Sequence, residues 1–256
     1  MGRLLCHLFI YVVLIMETPY IGTAAWTIPK NAAGGFGPEG SHLARYSQVL
    51  NAVELNSSFY REHQAKTYAR WAQETPENFR FSVKLAKAFT HECGLKPDEG
   101  ELLGSLENIL HLGEKLGVLL VQLPPKQLFD RKLMERFYRL LREKISVPIV
   151  IEPRNQGWFS EESRRLWEKY QISKVIADPE KCQGQAINGL SYFRLHGSPL
   201  IYKSAYTPEY LQNLMNDMRS HERPWCIFDN TTFGYATENA LSLTDAFHGT
   251  KGAHAS

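Results

Sequence analysis

The feature that most constrains the fold is a repeated alternation of short apolar runs with longer segments of helical periodicity. Eight such runs occur, each ending at or near a polar or charged residue, and they span 20–26, 52–56, 80–85, 117–123, 148–154, 174–178, 190–197 and 225–230. Strands that alternate with helices favour a parallel sheet, and eight strand–helix units are the number that closes a barrel. The sequence therefore predicts an α/β fold, a (β/α)8 TIM barrel.

The segments between the runs predict the helices of this barrel. Ser41, Asp130 and Ser160 precede segments with apolar residues at helical spacing, where each side chain can cap a helix N-terminus. Thr207 is followed by Pro208, and proline is favoured at the first helical position. The sixth connection, 179–189, is short and contains glycine, so we expect its helix to be short or irregular.

Length and composition favour a single domain at 16–248. A chain of 256 residues with 43% hydrophobic residues matches the usual size of one barrel. The net charge of +2 provides no strong field for nucleic acid or for an anionic membrane. The cysteines have no metal-binding spacing, which predicts reduced thiols and a cytoplasmic location. They are Cys6, Cys93, Cys182 and Cys226.

The two ends of the chain are interpreted separately. An apolar run at 4–16 follows Arg3 and resembles a signal peptide, but it is too short for an ordinary membrane span. Met16 is a natural start just ahead of the first strand, so we interpret residues 1–15 as an upstream extension or a misassigned start. A genuine signal or membrane anchor is the alternative. The Gly-containing residues 249–256 are predicted to form a flexible tail.

Polar residues near the strand ends predict a site at the barrel mouth. Side chains two apart in a strand share a face, and barrels of this class carry their chemistry at the C-terminal ends of the strands. The residues predicted to converge there are Glu54, Asn56, Ser82, Lys84, Gln122, Glu152, Arg154, Asp178, Tyr192, Arg194, His196 and Asn230.

Residue chemistry suggests roles within this set. Lys84, Arg154 and Arg194 suit an anionic ligand such as a phosphate or carboxylate. Amide side chains are expected to orient the ligand, and four residues, of which Glu54 is one, are expected to move protons. The amides are Asn56, Gln122 and Asn230, and the other proton carriers are Glu152, Asp178 and His196. The loops at 196–199 and 230–234 follow the seventh and eighth strands, where many barrels bind phosphate.

Three residues in the loops are further candidates for substrate binding. His91 is either a proton carrier near pH 7 or a hydrogen-bonded structural histidine. Tyr60 and Trp158 follow strands and can contact the ring of a ligand, although simple packing explains such aromatics equally.

Several alternatives remain open from the residues alone. Glu54, Glu152 and Asp178 are matched in number by the three cations, so an ion-pair network without a ligand also accounts for them. The same cations would compete with a metal for the carboxylates, so no metal and no cofactor are predicted. The main hypothesis is an acid–base enzyme for a small anionic substrate. The alternatives are a metal-dependent nucleic-acid phosphodiester enzyme or binder and a non-catalytic metabolite sensor. The oligomeric state is left open.

The order of these motifs resembles the YecE-like proteins, a family whose shared domain is known as domain of unknown function seventy-two. The matching residues are Ile21-Gly22-Thr23 with Trp26, Glu54 to Tyr60, Phe81 to Lys84, Thr90-His91, Gln122 to Pro125, Glu152-x-Arg154 with Trp158, Tyr192-x-Arg194-x-His196-Gly197, and Asn230 with Asn239-Ala240. They extend over about 20–245, nearly the whole chain. The resemblance implies a TIM barrel and brings no established activity.

Two positions depart from the family pattern. The first strand has Ala24-Ala25 before Trp26, where the family more often has Ser-Gly. The eighth run ends in Asp229-Asn230, where an asparagine pair is usual.

Overall fold

The fold is a closed barrel of eight parallel strands. A computed structural model describes residues 18–180 and 190–249. Each strand pairs with its neighbours in chain order, and β1 also pairs with β8. The strands are β1 (Tyr20–Ala24), β2 (Ala52–Leu55), β3 (Arg80–Lys84), β4 (Leu116–Gln122), β5 (Ile149–Glu152), β6 (Ile172–Asp178), β7 (Tyr192–Leu195) and β8 (Trp225–Phe228). The predicted (β/α)8 barrel is confirmed, and all eight predicted runs contain a strand.

Helices surround the barrel and connect its strands. They are α1 (His42–Ser47), α2 (Ser57–Tyr60), α3 (Ala65–Gln73), α4 (Glu99–Ile109), α5 (Arg131–Lys144), α6 (Glu161–Tyr170), α7 (Pro208–Met218) and α8 (Tyr235–Gly249). One turn of π-helix, Ala88–Glu92, follows β3, and a 3-10 turn, Gln156–Trp158, follows β5. Both of these turns lie at the barrel mouth, which is the C-terminal end of the strands.

Side-chain caps fix where the four helices with a predicted N-cap begin. Asp130 Oδ1 accepts a hydrogen bond from the backbone N–H of Leu133 at 2.9 Å, and Ser41, Ser160 and Thr207 cap α1, α6 and α7 in the same way. Each cap satisfies a backbone N–H that has no partner within its helix. The four predicted helix starts are therefore confirmed.

The alternation of side chains along the strands separates two apolar regions. Val118, Leu120 and Val150 fill the barrel interior, together with Tyr192 and Ile227. Residues of the opposite parity pack against the helices, and they include Leu119, Val121, Ile149, Ile151, Phe193 and Phe228. Each strand of a TIM barrel is covered on both faces, so both its inward-facing and its outward-facing positions are mostly apolar. Polar side chains on the inner face are confined to particular layers, most of them near the mouth.

Close packing between β1 and β2 depends on Gly22. A Cβ atom at Gly22 would lie 1.9 Å from the carbonyl oxygen of Ala52 on β2. The hydroxyl of Tyr46 donates to that same oxygen at 2.9 Å and accepts from the backbone N–H of Thr23 at 2.9 Å. Only a residue without a side chain fits between these strands.

Three of the sequence predictions lie outside the described residues. These are the extension at 1–15, most of the sixth connection (181–189) and the tail beyond Gly249. Within 18–180 and 190–249, no helix has the length and apolar character needed to span a membrane.

Candidate functional site

A buried arginine organises the polar side chains at the barrel mouth. Arg194 on β7 is 1% exposed. Its Nε and Nη2 atoms donate to Glu54 at 3.0 and 2.9 Å, Nη1 donates to Glu152 at 3.0 Å, and Nη2 donates to Asp229 at 2.8 Å. We call Arg194, Glu54, Glu152, Asp229 and His196 the Arg194 cluster. A buried guanidinium requires such partners, and here they join β2, β5, β7 and the residue that follows β8.

A second polar layer supports the cluster from inside the barrel. The hydroxyl of Tyr192 donates to Glu54 Oε2 at 3.0 Å and lies 2.7 Å from Ser82 Oγ. Burial and the negative charge of Glu54 raise the pKa of Tyr192, so its hydroxyl stays protonated and remains a donor. Glu54 is thus bound by an arginine on one side and by a phenol on the other.

His196 is the titratable member of the cluster near neutral pH. Its Nδ1 lies 3.1 Å from Asp229 Oδ2, and its Nε2 lies 3.5 Å from Glu152 Oε1 and 3.3 Å from Arg194 Nη1. Burial would lower the pKa of His196, but the hydrogen bonds to Asp229 and Glu152 outweigh burial and raise it. The imidazole therefore keeps its proton to a higher pH than a free histidine.

The carboxylates beside His196 remain ionised. Burial would raise the pKa of Glu152, but Arg194, His196 and Arg154 hold it well below its usual range. Burial would also raise the pKa of Asp229, but Arg194 and His196 outweigh burial and lower it. Both side chains are therefore acceptors at neutral pH.

Arg154 lies at the edge of the cluster, beside a cleft. Its Nε and Nη2 donate to Glu152 Oε1 at 3.0 and 2.9 Å, and its side chain is 16% exposed. The adjacent cleft is small, with a cavity volume of about 20 Å3, and it opens to solvent. Its polar and aromatic lining consists of Glu152, Arg154, Lys174, Glu180, His196 and Tyr202. A histidine and a guanidinium of the mouth thus face the same space.

Lys84 occupies the other side of the mouth. It ends β3, is 7% exposed, and its Nζ lies 4.2 Å from the centroid of the Phe59 ring. The carboxylates of the Arg194 cluster are paired with Arg194, and among the described residues no carboxylate forms an ion pair with Lys84. Burial, and then the positive charge of Arg194, lower the pKa of Lys84 to about 8.

Of the next three predicted residues, one lies close to Arg194 and the other two have different surroundings. Gln122 Oε1 lies 3.5 Å from Arg194 Nη1, and the buried Asn56 Oδ1 has no hydrogen-bond partner among the described residues. The His91 ring contacts the Phe59 ring edge-on at 5.0 Å, and its Nδ1 lies 2.8 Å from Thr90 Oγ1.

Two aromatic candidates have different surroundings. Tyr60 is 72% exposed and contacts the ring of Phe59. Trp158 is buried against Phe129, and its indole N–H donates to the carbonyl of Gln127 at 2.7 Å. Trp158 therefore ties the loops after β4 and β5 together as a packing residue, and it does not line the cleft.

Asp178 and Asn230 do not point into the barrel, because the prediction assigned the wrong inward parity to the ends of their strands. Asp178 has the parity of Ile176, which packs against the helices, and its carboxylate accepts from the hydroxyl of Tyr206 at 2.8 Å. Asn230 has the parity of Phe228, and its amide donates to the carbonyl of Ser204 and to Asn239. Both side chains stabilise loops around the mouth.

Asp229 is the member of the cluster that the sequence analysis omitted. It has the parity of Ile227, which points into the barrel. Trp225 and Ile227 share this parity, but Cys226 and Phe228 are apolar as well, so the sequence does not favour Asp229 over Asn230. With Asp229 in place of Asp178, the cluster still contains three carboxylates. Among the described residues, no group of three His, Cys, Asp or Glu side chains has an arrangement suited to a metal ion.

Comparison with known proteins shows that this chain is similar in sequence to two bacterial UPF0759 proteins. Over 156 residues it is 33% identical to the UPF0759 protein YunF of Bacillus subtilis, an alignment that covers 55% of this chain and 52% of YunF. Over 105 residues it is 28% identical to the UPF0759 protein YecE of Escherichia coli K12 and covers 37% of YecE. The matched region thus spans about half of the first relative and less of the second.

Solved structures with the same fold include two members of one family. A DUF72 family protein from Enterococcus faecalis V583 has a TM-score of 0.76 at 22% identity, covering 90% of this chain and 96% of that one. A DUF72 family protein from Thermotoga maritima has a TM-score of 0.72 at 23% identity, covering 91% and 100%. These likenesses show the fold. The family model described as "Protein of unknown function DUF72" matches residues 20–255, and the chain belongs to that family.

Proposed function

We propose that this protein is an enzyme that binds a small anionic substrate at the barrel mouth and transfers a proton to or from it through His196. The observation that carries the proposal is that Arg154 and His196 line one cleft, with Glu152 between them. A cation that recognises an anion thus lies beside a group that titrates near neutral pH.

Arg154 is the residue proposed to bind the anion. Its Nε and Nη2 are held by Glu152, which fixes the plane of the guanidinium, while among the described residues no acceptor bonds to Nη1. A guanidinium oriented in this way presents an N–H edge to a carboxylate or phosphate. Arg194 is not proposed as a ligand-binding residue, because Glu54, Glu152 and Asp229 already occupy its donors.

His196 is the residue proposed to move the proton. Asp229 fixes the imidazole from the Nδ1 side, and its charged form is stabilised by Asp229 and Glu152 together. A protonated imidazole next to a bound substrate can act as a general acid and return as a base in the reverse step. Asp229 and Glu152 are positioning residues in this scheme.

Calorimetric titration with inorganic phosphate tests the anion site. We expect Arg154→Gln to weaken phosphate binding strongly and His196→Gln to weaken it less. Arg164→Gln on α6 is the matched control, because Arg164 bonds only to exposed glutamates of its own helix. Equal binding of phosphate by the wild type and by Arg154→Gln would remove the basis of the proposal.

Native mass spectrometry of the purified protein tests the reaction. Incubation of a co-purified ligand with the wild type is expected to convert it, and His196→Gln is expected to bind it unchanged. Recovery of the ligand unchanged from the wild type would favour a metabolite sensor. Salt-dependent binding of short DNA or RNA would favour a nucleic-acid enzyme or binder.

We also propose a cytoplasmic location. Cys93 and Cys226 are free thiols, which a reducing compartment preserves. Fractionation of the native host tests this, and recovery of the protein outside the cytoplasm would contradict it.

A further inference from the structure

We propose that Lys84 is a nucleophile that forms an imine with a carbonyl group of the substrate. This inference rests on the proposed function and narrows its substrate to a small anionic aldehyde or ketone. Arg154 would bind the anionic group, and Lys84 would react with the carbonyl carbon.

The first support is the environment of the Lys84 side chain. It is more than nine-tenths buried, it points into the mouth, and among the described residues it lacks a carboxylate partner. A buried ammonium is costly to keep charged without such a partner. Its Nζ lies over the face of the Phe59 ring, and no other residue of the described part of the chain forms a hydrogen bond or ion pair with it, which leaves the lone pair of the neutral amine unoccupied. A structural lysine at this position would be expected to pair with Glu54 or Asp229.

The second support is the distribution of charge around Lys84. Glu54 on β2, Glu152 on β5 and Asp229 after β8 attract its proton, but all three are neutralised in part by Arg194 on β7. Burial and Arg194 prevail, and the pKa of Lys84 falls to about 8. Burial and an adjacent cation are the two means by which enzymes make a lysine nucleophilic near neutral pH.

The third support is a histidine that packs against the same phenylalanine as the amine. The His91 ring lies at right angles to the Phe59 ring, with the ring centroids 5.0 Å apart, and Lys84 Nζ lies over the face of that Phe59 ring. Burial lowers the pKa of His91, and the positive charges of Lys84 and Arg154 lower it further. A neutral imidazole is therefore available near the lysine, with its Nδ1 held by Thr90.

The chemistry balances without an added cofactor. The Nζ lone pair forms a bond to the carbonyl carbon, and the C=O π electrons move to oxygen. His91 takes a proton from the new ammonium and gives it to this oxygen, and it transfers the second nitrogen proton to the oxygen as the C–O bond breaks and the nitrogen lone pair forms the C=N bond. The oxygen then leaves as water, and an imine joins Lys84 to the substrate carbon.

Trapping by reduction tests the inference on the full chain. The protein is incubated separately with glyoxylate, pyruvate and dihydroxyacetone phosphate in the presence of cyanoborohydride, and its intact mass is measured. We expect one adduct, equal to the mass of the probe less one oxygen atom, and peptide mapping is expected to place it on Lys84. Lys84→Arg keeps the positive charge and is expected to lose the adduct.

Lys115→Arg is the matched control, because Lys115 also has a lowered pKa but lies just before β4, at the opposite end of the barrel from the mouth, where its Nζ donates to the carbonyl of Thr75. This variant is expected to keep the adduct. The rate of labelling of the wild type is expected to be half-maximal at about pH 8, whereas an ordinary lysine has a pKa of about 10.4. Absence of an adduct with all three probes, or an equal adduct in Lys84→Arg, would overturn the inference.

The outcomes separate this inference from the proposed function. Phosphate binding that depends on Arg154, without an adduct at Lys84, would leave the anion site standing and remove the imine. An adduct at Lys84, with phosphate binding that is indifferent to Arg154, would do the reverse. Circular dichroism of Lys84→Arg and of Lys84→Met establishes that the loss of labelling is not a loss of fold.

Discussion

At the scale of single residues, the three cations of the barrel mouth differ in how many carboxylate partners they have. Arg194 is enclosed by Glu54, Glu152 and Asp229, and its function is to hold these carboxylates in place. Arg154 has one carboxylate partner, and Lys84 has none among the described residues. An ion-pair network is therefore present at the mouth, and the reactive site that we propose lies beside this network and does not replace it.

Arg194→Met is expected to destabilise the protein strongly. The substitution leaves three buried carboxylates without their shared counter-charge, and removal of one partner of a buried ion pair typically costs about 3–5 kcal/mol. Urea unfolding followed by circular dichroism measures the change in the free energy of unfolding. Arg164→Met, whose partners are exposed, is expected to change it much less. Equal effects of the two substitutions would contradict the central role of Arg194.

Asp229→Asn is expected to lower the pKa of His196. A charged imidazole with a raised pKa stabilises the fold fully below about pH 6.5, and this contribution is lost as the pH rises through the folded-state pKa. Without the Asp229 charge, the folded-state pKa lies closer to 6.5, so that loss of stability is smaller and is complete at a lower pH. NMR titration of the imidazole nitrogens measures the pKa directly.

Asp217→Asn is the control for this titration. Asp217 lies 3.4 Å from His221 on the surface, away from the mouth. Its substitution is expected to leave the His196 titration unchanged. A His196 pKa that stays the same in Asp229→Asn would refute the assignment of Asp229 as its stabilising partner.

At the scale of elements, sequence predicted well wherever alternation was unambiguous. In β7 the inward Tyr192 and Arg194 alternate with the apolar Phe193 and Leu195, so the inner face is evident. In β6 and β8 apolar residues occupy both parities, because both faces of a barrel strand are covered. Alternation with a period of two residues then does not show which side chains face the barrel interior, and this is why Asp178 and Asn230 were assigned to the mouth.

Loops were the least predictable elements. Trp158 follows a strand and contributes to the family resemblance, yet its indole N–H donates a hydrogen bond to the carbonyl of Gln127 in the preceding loop. Contacts between separate loops depend on the tertiary positions of their strands, which local sequence does not encode. The helix starts, in contrast, were predictable because an N-cap hydrogen bond joins two residues that are only three positions apart in the sequence.

Asp130→Ala tests one such start. Loss of the cap leaves the backbone N–H of Leu133 without its acceptor, and this typically costs about 1 kcal/mol of stability. The free energy of unfolding from urea titration is the measurement. Asp130→Asn keeps an acceptor oxygen and is expected to retain most of the stability, so a loss as large as that of Asp130→Ala would argue against capping.

At the scale of the whole molecule, barrel closure and site assembly are coupled. Glu54, Glu152, Arg194 and Asp229 come from strands distributed around the ring, and they meet only when β1 pairs with both β2 and β8. Gly22 is where that closure is tightest, because the Ala52 carbonyl and the Tyr46 hydroxyl leave no room for a side chain.

Gly22→Ala is expected to destabilise the whole barrel. The added methyl group would meet backbone atoms that cannot rotate away, and overpacking of this kind typically costs about 1–3 kcal/mol or more. We expect a lower thermal midpoint together with weaker phosphate binding. Gly104→Ala on α4, where nothing lies within 4 Å, is the control and is expected to be neutral or stabilising. A Gly22→Ala variant as stable as the wild type would contradict the steric argument.

The position of Arg194 limits how this protein can be redesigned. Substitution of Arg194 would leave three buried carboxylates without their shared counter-charge, so we expect it to cost stability before it changes any other property. Variants designed to test the proposed ligand site should therefore leave the Arg194 cluster intact and change rim positions such as Tyr60 and Tyr202, both of which are exposed.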